Sequence, residues 1–133
     1  MSARELTAWA MVLLSGAIGA SCLLAILNAG LGAPPQPAVL AAGCAAIAGA
    51  IALEILLSII MPRQSGEPPD ERERMIIART GHWSGLVFLV GVLPALGHYA
   101  SHGDGNVMFN VIVLSLCVAA LFEYGAQIVL FRR

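Results

Sequence analysis

Residues 62–81 read PRQSGEPPDERERMIIARTG, the only long polar segment in a chain that is otherwise close to lipid-soluble. The segment holds Arg63, Arg72, Arg74 and Arg79, four of the seven basic residues, and Glu67, Asp70, Glu71 and Glu73, four of the eight acids. On either side the sequence turns apolar: 59% of the chain is hydrophobic, 11% is charged and the mean hydropathy is +0.85. That contrast places a 133-residue chain among polytopic membrane proteins, with room for one domain. Pro68 and Pro69 stop any incoming helix, Asp70 stands where an N-cap belongs, and Glu73 follows three residues on, as in a capping box. A helix is therefore expected from Asp70 through Met75, Ile76 and Ile77 toward the membrane, with Asp70/Arg74 and Glu71/Arg74 able to pair along it.

Working outward, four apolar runs are each long enough to cross a hydrocarbon core of about 30 Å. The expected spans are 6–28, 38–61, 82–101 and 107–131, with 62–81 between the second and third. The first run is longer than the apolar region of a secretory signal and is read as a true span. Ser15/Gly19 and Gly16/Ala20 form small-xxx-small pairs within it. Gly30, Gly32, Pro34, Pro35 and Pro37 break the chain after it. The second span is so rich in Ala and Gly that it offers lipid little side-chain volume, and it is expected inside the bundle. Pro94 is expected to kink the third span near Val90–Gly91, and Gly81 to bend its approach.

The arginines fix an orientation. Arg4 precedes span one, four Arg lie between spans two and three, and Arg132 and Arg133 follow span four, while the opposite loops hold none. The positive-inside rule then puts both termini and the central segment in the cytoplasm of a plasma (inner) membrane protein. The expected fold is all-α: four transmembrane helices as two hairpins, N-in and C-in, with a capped amphipathic helix leading into the third.

Two carboxylates interrupt the spans. Glu54 and Glu123 each stand nine residues before an Arg, and the offset relating them also relates Ala46 to Ser115, Ala50 to Ala119 and Ser58 to Gln127. These positions are four apart and share one helix face in each copy, which suggests a duplicated hairpin about an axis along the membrane normal. A carboxylate in a span costs roughly 2.5–3.5 kcal/mol on insertion scales, so each must find a partner, water or a cavity. Ser58, Gln127, Tyr124 and Ser15 are candidate partners. The two acids are alternatively read as the centre of a small oligomeric proton- or cation-coupled transporter or channel.

His98 and His102 are four apart on one helix face with Asp104 close by, a weak metal pattern. His82 lies at the other end of the span. Haem would ask for histidines on two helices, so no cofactor is expected. Cys22, Cys44 and Cys117 each sit in an apolar run without a CxxC spacing and are read as packing residues. No nucleophile triad or phosphate loop is present, and no basic stripe points to nucleic acid.

The run Asp70-Glu71-Arg72-Glu73, with Ile76 and Arg79 leading into a span, resembles an uncharacterised family of small bacterial and archaeal four-helix membrane proteins. Its members typically carry an Asp-Glu-Arg-Asp/Glu stretch before the third helix and end in a short Arg-rich tail, as LFRR does here. The resemblance implies four helices, a cytoplasmic motif and no assigned catalytic chemistry. Some such proteins work beside a DNA-binding regulator, which implies a docking role for Asp70, Glu71, Arg72, Glu73, Arg74 and Arg79. Small multidrug transporters are a second likeness, with four spans and a key Glu, but they place it in the first helix, where this chain's span has none. The first reading is accordingly a non-enzymatic membrane protein, regulatory or scaffolding, whose partners are the bilayer, further copies of itself and a cytoplasmic protein.

Overall fold

The computed structural model describes residues 3–60 and 70–132. Four helices make up the fold: α1 (Ala3–Ala29), α2 (Pro37–Ile60), α3 (Glu71–His102) and α4 (Gly105–Phe131), with no strand among the described residues. Three of them are long and apolar enough to cross a membrane: α1 over Glu5–Ala29, all of α3 and all of α4. In α2 the apolar stretch is Val39–Leu53.

The ends follow from local chemistry. Gly30 takes a left-handed φ of 92° that closes α1, its N–H donating to Ile26 O at 2.7 Å. Pro37 opens α2 at the first helical position, where a missing N–H costs nothing. Asp70 caps α3: its side chain accepts Glu71 N–H at 2.8 Å, and Glu73 Oε2 accepts Asp70 N–H at 3.3 Å. The expected capping box is thus formed. The pairings of Arg74 with Asp70 and Glu71 are not: among the described residues neither acid forms an ion pair with it. Asp70 is held by the cap, and an exposed Glu–Arg pair gains too little to order two long side chains.

The capped segment and the third span form one helix, assigned as α without interruption through Gly81 and Pro94. It ends at Gly103 (φ 70°), and Asp104 at once caps α4 by accepting Asn106 N–H at 3.0 Å and Val107 N–H at 3.3 Å. The α3–α4 turn is therefore only two residues long.

The helices lie in the lateral order α2, α1, α4, α3, and among the described residues only neighbours are in contact. This corrects the expected place of α2: it is an edge helix packed on α1, not an interior one. Ala and Gly in a span permit close packing but do not require it. The element contacts also lack the symmetry of a duplicated hairpin, since α1 packs on α4 while its counterpart α3 does not reach α2.

Beside the buried Ile26, Val39, Ile76 and Ile128, much of the contact between helices is small or polar, and the outer surface is largely aliphatic. Buried side chains include Ala8, Cys22, Thr80, Ser84, Ala95, Asn110, Ala119 and Gln127, whereas Leu13, Leu27, Ile47, Ile59, Val90 and Leu93 are exposed. Small and polar groups between helices with large aliphatic groups outward is the packing expected in lipid.

Candidate functional site

The α4 face Ser115, Ala119, Glu123, Gln127 that the sequence singles out is turned onto α3. Ala119 and Gln127 are buried. Ser115 lies against Gly91 so closely that a Cβ there would overlap its side chain. Glu123, half-buried, accepts a hydrogen bond from Ser84 Oγ at 2.9 Å, and its other oxygen lies over Gly81, 3.8 Å from where a Cβ would stand. Ser84 Oγ is also 3.0 Å from Gly81 O, so one hydroxyl proton serves two acceptors. One turn toward the α3 start, Thr80 is buried with its hydroxyl turned to its own helix, donating to Ile76 O at 3.0 Å.

Ser84 is therefore the partner of Glu123 among the described residues, and Ser84 was missing from the sequence candidates. The signal for it is the buried stripe Ile76, Thr80, Ser84 at spacing four, followed by Gly91 and Ala95. Tyr124 is half-buried beside Glu123 on α4. The side chains of Glu54 and Ser58, and all of 61–69, lie outside the described residues, so a pairing between the two carboxylates is not part of this geometry.

Replacing Ser84 by Ala removes one interhelical hydrogen bond and leaves Glu123 at the same contact. The expected loss is about 0.5–1.5 kcal/mol, read from unfolding in mixed micelles. A loss several times larger would mean that Ser84 holds more than this one contact.

A groove of about 450 Å³ opens between α2 and α4 over α1. All three cysteines, as free thiols, lie along it with Ile18, Ile47 and Val113. Glu123 is not on its wall, so the cavity and the membrane carboxylate are separate features.

At the far end of α3 the His98 and His102 rings stack, centroids 4.5 Å apart and planes 16° from parallel. Asp104 is turned elsewhere: its Oδ1 accepts both N–H groups of the first turn of α4, and its Oδ2 lies toward Gly32. Among the described residues no group of three or more His, Cys, Asp or Glu is assembled for a metal ion.

At the start of α3, Glu71, Arg72, Arg74 and Arg79 are exposed and Glu73 is half-buried in its cap. Arg132 is used otherwise: its Nε donates to Glu5 Oε1 at 3.1 Å and its guanidinium lies 5.4 Å from the Trp9 ring centre, tying the end of α4 to the start of α1. The start of α1, the end of α4 and the charged start of α3 are thus helix ends on one side of the bundle. No known protein family, curated protein or solved structure gives a significant match to this chain.

Proposed function

We propose that this is a non-enzymatic inner-membrane protein, crossing the bilayer four times with both termini and the central segment in the cytoplasm, that docks a cytoplasmic protein on the charged start of α3. What carries the reading is the length of α3. Its 32 residues extend about 48 Å at 1.5 Å per residue, against a hydrocarbon core of about 30 Å. The stretch from Trp83 to His102 suffices to cross, which leaves about three turns, Glu71–His82, beyond the bilayer. These turns carry Arg72, Arg74 and Arg79 exposed, and the capping box holds their first turn in place. A capped extension of a membrane helix presents its charges at fixed angles, which is what recognition needs and what a slack linker lacks.

The likeness of Asp70–Arg79 to a motif of small four-helix membrane proteins supports the same reading. Weighing against a flux pathway, Glu123 is turned into the α3 contact and away from the groove.

Reversing two charges tests the proposal. Arg72→Glu with Arg74→Glu is expected to lower capture of the partner from cytosol by about tenfold or more, since like charges brought together at an interface cost several kcal/mol. Membrane insertion should be unchanged, because both residues are exposed and precede the stretch from Trp83 to His102 that suffices to cross. Capture at the wild-type level by the inserted variant would overturn the docking role.

A further inference from the structure

The stacked histidines at the end of α3 are used by nothing described so far. His102 Nδ1 lies 3.3 Å from His98 O. A carbonyl oxygen only accepts, so the proton of a neutral His102 sits on Nδ1 and is donated there. Nε2 of this exposed ring is then left with its lone pair bare. Anchoring one imidazole nitrogen to a carbonyl is how proteins prepare the other for a metal.

His98 is half-buried, and its Nδ1 is buried with no hydrogen-bond partner among the described residues. Nothing there fixes its proton, so it is the adjustable ring beside a fixed one. The neighbouring polar groups are already committed: Ser101 Oγ donates to Gly97 O at 2.7 Å, and Asp104 caps α4.

We propose that His98 and His102 form a two-imidazole site for a borderline divalent transition-metal ion, the class that imidazole suits, with Cu²⁺ bound most tightly. The two rings tilt out of their stack to bring one nitrogen of each to about 2.0 Å from the ion. Water completes the coordination, since among the described residues no third protein ligand is grouped with the two rings. Such a site is labile and exchanges its ion with the solution at that end of the helix. It is separate from the docking segment, which lies at the opposite end of α3.

The test uses the full chain in lipid nanodiscs, free of any polyhistidine tag, titrated with Cu²⁺. One equivalent is expected to bind with the paramagnetic resonance signature of two nitrogen ligands, and Zn²⁺ should compete for it. His98→Ala or His102→Ala alone should weaken binding by about tenfold or more, and the double variant should lose the two-nitrogen signal. His82→Ala, at the other end of the helix, should leave both unchanged. Both target rings are near the surface, and unchanged circular dichroism will show that the variants stay folded. In the metal-free protein, nitrogen NMR should find the His102 proton on Nδ1. Retention of the two-nitrogen signal in the double variant, or a His102 proton on Nε2, would overturn the site.

Discussion

Gly91→Ala is expected to destabilise the protein by about 1–3 kcal/mol, against the ordinary preference of a helix for alanine. In a free helix interior the same change gains roughly 0.5–1 kcal/mol. The sign of the measured effect therefore decides whether α3 and α4 touch here. A Cβ on Gly91 would overlap both Oγ and Cβ of Ser115. Rotating the Ser115 hydroxyl moves only Oγ, and that group is already donating to Val111 O at 2.7 Å. Its Cβ is fixed to the backbone, so the helices themselves must part. The separation would also loosen the Ser84–Glu123 hydrogen bond, two turns away on the same interface. Ser115→Gly should restore most of the loss in the double variant, a coupling between neighbours that independent sites do not show. The readout is unfolding in mixed micelles titrated with dodecyl sulfate. A gain in stability for Gly91→Ala alone would place the contact elsewhere.

Much of this contact was within reach of the sequence. Apolar runs give helices, three of them long and apolar enough to cross a membrane, because only hydrogen-bonded helices satisfy the backbone in lipid. The Asp70/Glu73 box likewise names the start of α3 from residue type and spacing alone. What decides the pairing of α3 with α4 is the turn. As the gap between expected spans that end at 101 and start at 107 it leaves the register free, but with Gly103 and Asp104 as its two residues the register follows. Ser84 stands nineteen residues before Gly103 and Glu123 nineteen after Asp104, so a tight antiparallel hairpin brings them level.

The lateral order of helices was not legible in this way. In lipid no hydrophobic gain selects a helix's neighbours, and the Ala-rich α2 fits an edge as well as an interior. Its place is set by a loop and by a polar residue on another helix, which a periodicity argument along α2 does not contain.

That polar residue is Asn110, and Asn110→Leu is expected to cost about 1–3 kcal/mol although leucine keeps the branched shape and the number of heavy atoms. Asn110 is buried in the second turn of α4, and its amide donates to Leu31 O at 2.8 Å and to Ala33 O at 3.2 Å. Both donors of one NH₂ are thus spent on the carbonyls that follow the Gly30 break. Asn106 adds a bond to Gly32 O at 3.2 Å, in a more exposed position. These contacts hold the α1–α2 loop against α4, while among the described residues α2 itself packs on α1 alone. Leucine removes both donors and leaves the Leu31 and Ala33 carbonyls without these partners. Amide exchange in residues 30–36 is then expected to rise along with the stability loss, while the α3–α4 hairpin stays protected. Asn106→Ala should cost less, about 1 kcal/mol or below, since its partner is already open to solvent. Unchanged stability and unchanged exchange in the loop of Asn110→Leu would mean that α1 packing alone positions α2, and that the buried amide holds no part of the fold's lateral order.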